Sequence, residues 1–229
     1  MRPLCVIPAR RGSKRIALKN IRRLHGKPML AYTVQAASES GVFADVFVST
    51  EDPEIAEVAS SFGAIVHRRP EVLAGDLVSS TDVCLEVEES LRTAGRAHDA
   101  IVCLQPTSPL RNAEDVRNSW VSFVESGANY LVSTTPIDPH YFHWALIESG
   151  HGWEMYFKDK YLQERPLLPP VHRPNGAIKI GRVEPLRSTR NFFGAPLGTY
   201  PMPDERSLHV GEPLDFELAE FLLARIAKP

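Results

Sequence analysis

The chain starts with the apolar run Leu4-Cys5-Val6-Ile7-Pro8 and continues directly into the basic segment Ala9-Arg10-Arg11-Gly12-Ser13-Lys14-Arg15. The run is too short for a helix, and its Val and Ile content is typical of a strand buried on both faces. Similar runs occur at residues 46–50, 64–67, 100–105 and 129–134. Segments with helical periodicity separate them, so the pattern predicts an α/β fold with a mostly parallel sheet covered by helices on both faces.

The predicted helices cover residues 30–40, 53–62, 81–93 and 113–125, where apolar residues recur three or four apart. A glycine that could end each helix follows it, at positions 41, 63, 95 and 127. Further strands are expected at 177–180 and 199–202. A final helix is expected to begin near Pro213 and to face the core with Leu214, Leu218, Phe221, Leu222 and Ile226.

Composition limits the possible functions of the chain. Its 229 residues have a formal net charge of -2, so no overall positive field favours nucleic acid or an anionic membrane. No apolar stretch is long enough to span a bilayer and the first residues do not resemble a signal peptide, which predicts a cytoplasmic protein. Cys5, Cys84 and Cys103 are widely separated within apolar runs, and we expect them to be buried thiols.

The loop after the first strand carries the strongest functional signal. Five cations lie within residues 10–19 of an otherwise nearly neutral chain, at the strand end where open α/β sheets bind their ligands. Gly12 lets the backbone approach a phosphate closely, Ser13 can donate a hydrogen bond, and Arg10 and Lys19 can stabilise charge on a bridging oxygen. The loop therefore predicts a polyanion site, with a solvated basic turn as the alternative. Neither GxxxxGK[ST] nor GxGxxG occurs in the sequence, which disfavours a P-loop ATPase or a dinucleotide oxidoreductase.

A series of motifs runs along nearly the whole chain. In order, the motifs are Pro8-Ala-Arg-x-Gly-Ser-Lys14, Lys19-Asn20, Gly26-Lys-Pro28, Arg69-Pro70, Ser79-Ser80-Thr81-Asp82, Leu104-Gln-Pro-Thr-Ser-Pro-Leu-Arg111 and Arg173-Pro-Asn-Gly-Ala-Ile178. In this order and spacing they resemble the acylneuraminate cytidylyltransferase (CMP-sialic acid synthetase) family. The resemblance implies a three-layer nucleotidyltransferase fold in a single domain, residues 1–229. It also implies transfer of CMP from CTP to a 2-keto-3-deoxy sugar acid with release of pyrophosphate.

The same resemblance implies roles for individual residues. Arg10 and Lys19 would be catalytic, and the nucleotide would be bound by Arg10, Gly12, Ser13, Lys19, Asn20, Arg69 and Ser80. The sugar acid would be bound by Gln105, Arg165, Asn175, Lys179, Phe192 and Phe193. Lys179 stands where the family commonly has tyrosine, which leaves the acid open among sialic, legionaminic and related nonulosonic acids or an eight-carbon ulosonate.

The expected metal site departs from the family pattern. Two aspartates spaced by one residue usually bind a divalent cation before the last helix, but these positions hold His209 and Gly211 here. Mg²⁺ prefers oxygen ligands, so a neutral imidazole is a poor replacement. Three outcomes are open: Mg²⁺ held chiefly by the triphosphate with help from Asp215 or Glu212, Mn²⁺ held with His209, or a loss of catalysis.

Residues 136–174 break the strand–helix alternation and are rich in proline and aromatic residues. A connection of this length is usually a lid or a binding arm, and its aromatic residues favour contact with another subunit. The resemblance likewise implies a dimerisation arm at about 136–174 and a homodimer. Two other functions stay open: nucleotidyl transfer to a phosphorylated sugar, and nucleotide binding by a homologue that has lost catalysis.

Overall fold

The computed structural model describes residues 1–226, apart from the side chains of His140 and Arg165. Its strands are β1 (Pro3–Pro8), β2 (Arg23–Leu24), β3 (Lys27–Pro28), β4 (Val46–Thr50), β5 (Ile65–Arg68), β6 (Ala100–Leu104), β7 (Tyr130–Ile137), β8 (Leu146–Ser149), β9 (Gly152–Met155), β10 (Val171–Arg182) and β11 (Leu197–Pro201). Its α-helices are α1 (Met29–Glu39), α2 (Pro53–Ser61), α3 (Ser80–Thr93), α4 (Ala113–Ser126), α5 (Pro139–His143), α6 (Val183–Thr189) and α7 (Pro213–Ile226).

The central sheet has seven strands in the order β11-β7-β10-β6-β1-β4-β5. Within this sheet β10 alone runs antiparallel to its neighbours, and the other strands are parallel. The carboxyl ends of β1 and β6, which pair with each other, therefore lie side by side at one edge of the sheet. The predicted mostly parallel α/β sheet is confirmed.

Helices cover both faces of this sheet. On one face, alternate residues of β1 such as Cys5 and Ile7 pack with α1, α2 and α4. On the other face, Leu4 and Val6 pack with α3 and α6. Adjacent strand residues point to opposite faces, so the short apolar runs supply both layers of core. The prediction of three layers is confirmed, as is the burial of all three cysteines.

The predicted helix-ending glycines are also confirmed: Gly41, Gly63, Gly95 and Gly127 all have positive φ. The final helix predicted to begin near Pro213 is confirmed as α7, but the face predicted to be buried was wrong. Phe216 and Ala219 are its buried residues, whereas Leu214, Leu218, Phe221 and Ile226 are exposed and Leu222 is half-buried. The buried face packs on Ile16, Leu24, Met29 and Val210. Because α7 is apolar on two sides, its periodicity did not determine which side faces the core.

Residues 138–170 form an arm that contains α5, the antiparallel pair β8–β9 and two short 3₁₀ turns. The rings of Phe142 and Phe157 lie 4.3 Å apart between centroids, while Tyr141, Trp153 and Tyr156 are exposed. The arm thus has a small aromatic centre of its own and presents other aromatic rings to solvent. No helix within residues 1–226 is both long enough and apolar enough to cross a membrane.

Candidate active site

A cleft of about 270 Å³ opens beside the carboxyl ends of β1 and β6, and we call it the cation cleft. It is lined by Pro8, Arg10, Gly12, Ser13, Lys14, Arg15, Lys19, Asn20, Asp76, Gln105, Pro106 and Thr107. A second space of about 280 Å³, the side cleft, shares Pro8, Arg10 and Gln105 with it and is lined further by Arg69, Val78, Ser80 and Val83. The structure therefore brings every predicted nucleotide-binding residue to these two adjoining spaces.

The backbone of the basic loop is held in place by side chains around it. Asn20 is buried, and its Nδ2 donates to the Arg10 carbonyl at 2.9 Å. Arg11 points away from the cation cleft, because its guanidinium pairs with Asp52 and its backbone N–H donates to Glu51. Four of the five loop cations therefore line the cleft.

Gly12 allows the guanidinium of Arg10 to lie close to the backbone of the basic loop. A Cβ at Gly12 would lie 3.3 Å from Nη1 of Arg10, a distance at which the guanidinium would have to shift. A side chain at position 12 would thus compete with Arg10 for space at the cleft wall.

The cleft also contains a carboxylate that the sequence analysis did not predict. Oδ1 of Asp76 lies 2.5 Å from Arg10 Nη1, and Oδ2 lies 2.6 Å from Lys14 Nζ. Hydrogen bonds from Lys14 and Arg10 lower the pKa of Asp76 to about 2. Asp76 is 66 residues from Arg10 in sequence, and no local pattern marks it as a member of this site.

Lys19 reaches across the cleft to its opposite rim. Its Nζ donates to the carbonyl of Val210 at 3.0 Å. Partial burial lowers the pKa of Lys19, and the charges of Arg15 and Arg10 lower it further. The cleft is therefore a strongly cationic environment in which an additional negative charge is favoured.

The side cleft is formed by buried polar groups. Arg69 is buried, and its guanidinium donates to the carbonyl of Ser49 at 2.6 Å and to the Ser49 hydroxyl at 3.2 Å. Nζ of Lys179 lies 3.3 Å from the Ser80 hydroxyl. Lys179, predicted as a sugar-acid ligand, therefore lies next to a residue predicted to bind the nucleotide.

The other predicted sugar-acid ligands have different surroundings. Gln105 lines both clefts. Asn175 is buried, its Oδ1 accepts from Ser133 and from the backbone of Ala177, and its Nδ2 donates to Ser207 at 2.9 Å and to the Met202 sulfur. These bonds engage both polar atoms of the amide, so in this structure Asn175 anchors the irregular stretch of β10 between Pro174 and Lys179 rather than reaching into a cleft.

Neither ring of the predicted aromatic pair lines the two clefts. Phe192 is buried in the core against Gly181, and Phe193 is exposed. The two rings lie in the turn between α6 and β11. The side chain of Arg165 lies outside the described residues. For Arg165, Phe192 and Phe193, a contact with the sugar acid stays a prediction.

The rim opposite the basic loop, residues 207–215, was the predicted location of a metal site. Nδ1 of His209 lies 3.2 Å from the Thr107 hydroxyl. Oδ2 of Asp215 accepts from the backbone N–H groups of Gly211 and Glu212 at 2.9 and 2.7 Å, and Glu212 pairs with Arg15 at 2.6 Å. Both carboxylates are thus engaged within the protein.

This donor set does not fit a divalent cation held by the protein. Among the side chains that the structure describes, which exclude that of His140, no three His, Cys, Asp or Glu residues are grouped so that they could hold a metal ion. His209 and Asp215 are candidate ligands, but Gly211, the second position where the family usually has aspartate, has no side chain to supply a ligand. Since Mg²⁺ requires several oxygen ligands, this rim cannot supply a complete protein site.

The sheet order, the helices on both faces and a cleft at the strand ends define an α/β nucleotidyltransferase fold. A similar solved structure is CMP:2-keto-3-deoxy-manno-octonic acid synthetase complexed with CTP. It has a TM-score of 0.75 and 19% sequence identity, and the match covers 99% of this chain and 100% of that one.

Sequence comparison narrows the class to a family. The family model described as "Cytidylyltransferase" matches residues 4–167, and the chain belongs to this cytidylyltransferase family. It is 32% identical to the CMP-N,N'-diacetyllegionaminic acid synthase of Legionella pneumophila, covering 97% of each chain. It is 34% identical to the N-acylneuraminate cytidylyltransferase of Streptococcus agalactiae, over 94% of this chain and 52% of the relative. The chain thus spans about half the length of the streptococcal relative.

Proposed function

We propose that this protein is a cytidylyltransferase that joins CTP to a 2-keto-3-deoxy sugar acid, giving the CMP-sugar and pyrophosphate. The observation that carries the proposal is the cation cleft, where Arg10, Ser13 and Lys19 surround a space large enough for a phosphate chain. Membership of the cytidylyltransferase family supports CTP as the nucleotide. The names of the relatives support a nonulosonic acid as the acceptor.

In this proposal the side cleft and the cation cleft divide the nucleotide between them. Arg69 and Ser80 would contact the nucleoside, and Arg10, Ser13 and Lys19 would hold the triphosphate. Asn20 would act through the Arg10 carbonyl that it fixes at 2.9 Å. Gln105 would lie between nucleotide and sugar acid, because it lines both spaces.

The chemical step is attack by the anomeric hydroxyl of the sugar acid on the α-phosphorus of CTP. A P–O bond forms between the α-phosphorus and the sugar oxygen, the bond from the α-phosphorus to the oxygen that bridges to the β-phosphate breaks, and the hydroxyl proton passes to water. Pyrophosphate leaves with more charge on its bridging oxygen, so positioned cations stabilise the transition state more than the bound substrate. Arg10 and Lys19 are the residues proposed for this role.

The identity of the acid is proposed as a class. Relatives named for neuraminate and for diacetyllegionaminate are 34% and 32% identical to this chain, so similarity does not separate these substrates. Lys179 adds a cation beside Ser80 where a tyrosine hydroxyl is common in the family, which changes the hydrogen bonds available near the substrate.

The arm at residues 138–170 supports the proposal of a homodimer. Its exposed Tyr141, Trp153 and Tyr156 are of the residue type enriched at protein–protein interfaces. Analytical ultracentrifugation of the purified chain tests this, because a monomer at micromolar concentration would contradict it.

The proposal includes a cytoplasmic location, because the proposed co-substrate CTP is a cytoplasmic nucleotide.

The proposed activity is tested by measuring pyrophosphate release from CTP with a panel of neuraminic, legionaminic and pseudaminic acids, in Mg²⁺ and separately in Mn²⁺. The same assay with ATP, GTP and UTP and with sugar phosphates tests nucleotidyl transfer to a phosphorylated acceptor. Strict dependence on CTP and an unphosphorylated acid supports the proposal. Product from a sugar phosphate alone contradicts it.

One observation favours a second candidate function. The rim provides no complete set of cation ligands, since Asp215 and Glu212 are engaged within the protein. A homologue that binds CTP without turning it over would have this arrangement. Calorimetric binding of CTP with no product under either divalent ion would identify that case.

A further inference from the structure

The loop between β5 and α3, residues 71–79, closes one side of the cation cleft. It is fixed at both ends, because the backbone N–H of Arg69 donates to Thr50 and the Ser79 hydroxyl accepts from the backbone of Asp82. Between these points two of its apolar side chains are almost free of contacts, since Val72 is 83% exposed and Leu77 is 101% exposed, whereas Leu73 and Val78 are half-buried. A segment with so few buried contacts can move at little cost in stability.

Asp76 provides the contacts that hold this loop to the basic loop. One carboxylate oxygen lies 2.5 Å from Arg10 and the other lies 2.6 Å from Lys14. The single carboxylate of Asp76 thus forms ion pairs with two cations that face the proposed phosphate position. All three side chains retain solvent contact, since 34%, 43% and 81% of the Arg10, Asp76 and Lys14 side chains is exposed.

This arrangement makes Asp76 a competitor for any phosphate that enters the cleft. A carboxylate and a phosphate oxygen accept the same hydrogen bonds from a guanidinium or an ammonium group. A phosphate chain can bind fully to Arg10 and Lys14 only when Asp76 releases them. Exposed ion pairs contribute little, so a ligand with several negative charges can displace the carboxylate.

We infer that Asp76 sets the affinity of the cation cleft for triphosphate and pyrophosphate by competing for Arg10 and Lys14. The inference rests on the proposed function. Asp76 weakens CTP binding before the reaction, and afterwards its return to the two cations favours departure of pyrophosphate. The effect increases with the number of phosphates, so CMP is affected less than CTP or pyrophosphate.

The test compares Asp76→Asn with Glu71→Gln, a control that removes the same charge from the same loop. Glu71 is exposed and forms no ion pair with the described residues. Isothermal titration at fixed Mg²⁺ measures binding of CTP, pyrophosphate and CMP. We expect Asp76→Asn to bind CTP and pyrophosphate about three- to tenfold more tightly than wild type, the range expected for losing exposed ion pairs. CMP binding should change less, and Glu71→Gln should match wild type.

Two further measurements sharpen the result. The gain in affinity should shrink at high ionic strength, because exposed charges are screened there. Pyrophosphate should inhibit the Asp76→Asn enzyme at lower concentration than wild type. Thermal unfolding of both variants should match wild type, because both carboxylates lie on an exposed loop.

The outcomes separate the inference from the proposed function. If Asp76→Asn binds CTP and pyrophosphate no more tightly than Glu71→Gln while Arg10→Ala loses CTP binding, the inference is wrong and the nucleotide site stands. Weaker CTP binding by Asp76→Asn also overturns the inference, because it would make Asp76 a ligand rather than a competitor. If wild type binds neither CTP nor pyrophosphate, the proposed function and the inference fail together.

Discussion

The two walls of the cation cleft are built from opposite chemistry. The basic loop presents Arg10, Lys14 and Lys19 to the cleft, and its anionic partner there is the exposed Asp76. On the facing rim, Asp215 and Glu212 are engaged with backbone N–H groups and with Arg15. One wall is arranged to receive an anion, whereas the carboxylates of the other are engaged within the protein.

The two walls also differ in how they are held. The rim is fixed by backbone hydrogen bonds, including Val210 N–H to the Thr107 carbonyl at 2.7 Å, and by the bond from Lys19 to the Val210 carbonyl at 3.0 Å. The basic loop is instead joined to the 71–79 loop by ion pairs that water and salt weaken. A phosphate ligand can rearrange the loop contacts without disturbing the rim.

The largest expected effect comes from removing the cations of the anion-binding wall. Arg10→Ala and Lys19→Ala should each lower the rate of pyrophosphate release on the order of a hundredfold, the loss typical of one donor that stabilises a transition state. Arg23→Ala is the matched control, because Arg23 is an exposed cation near the loop that donates to the Gly26 carbonyl outside the cleft. Steady-state assays with saturating sugar acid provide the measurement.

Equal rates for wild type and both cleft variants would show that the basic loop has no part in the mechanism. They would also contradict the assignment of this wall as the anion-binding one. A comparable loss in Arg23→Ala would mean that general positive charge, rather than position in the cleft, determines the rate.

Most of the fold could be predicted from the sequence because its strands are buried on both faces. The predicted strands at 4–8, 46–50 and 100–105 differ from β1, β4 and β6 by at most one residue at either end. The prediction missed α6, because it placed no helix between the strands expected at 177–180 and 199–202. It also assigned the wrong face to α7, because Leu214 and Leu218 form as regular a stripe as Phe216 and Ala219. Only contact with the rest of the fold distinguishes the two faces.

The site was predictable where a motif marks its residues, as it does for the basic loop and for the distant Arg69 and Ser80, and not where no motif marks them. The cations of residues 10–19 come from one segment, and the structure places four of them around one cleft. Asp76 joins them through a contact between distant segments, which local pattern cannot indicate. Asn175 was identified by its motif, but its hydrogen bonds to Ser133, Met202 and Ser207 depend on segments distant in sequence.

A second prediction concerns the rim at residues 207–215, whose carboxylates are engaged within the protein. Replacing His209 and Gly211 together by aspartate should raise Mn²⁺ affinity in the absence of nucleotide by on the order of tenfold, because charge and oxygen ligands increase together. The position has room, since a Cβ at Gly211 would lie 3.5 Å from Asp215 Oδ2 and 3.7 Å from His209 Cδ2. Electron paramagnetic resonance of free Mn²⁺ measures the binding.

The corresponding double replacement by asparagine is the control, because it matches the shape without the charge. Tight Mn²⁺ binding by the wild-type chain without nucleotide would show that the rim already holds a cation, contrary to the contrast drawn between the walls.

The smallest expected effect concerns His209 on the rim, whose pKa is influenced by the charges of the basic loop on the facing wall. Partial burial lowers the pKa of His209 below 6.5, and the charges of Lys19, Arg15 and Lys179 lower it further, while Asp215 opposes them. A histidine with a lowered pKa contributes stability that is present above its unfolded pKa near 6.5 and is lost as the pH falls through its folded pKa.

Lys19→Met should raise the pKa of His209, which NMR titration of the ring protons measures. Arg23→Met is the control and should leave the pKa of His209 unchanged. Because burial is the larger cause, the variant should recover only part of the shift. A full return to 6.5 would mean that charge from the basic loop alone keeps this imidazole neutral, and an unchanged pKa would mean that the two walls are electrostatically independent.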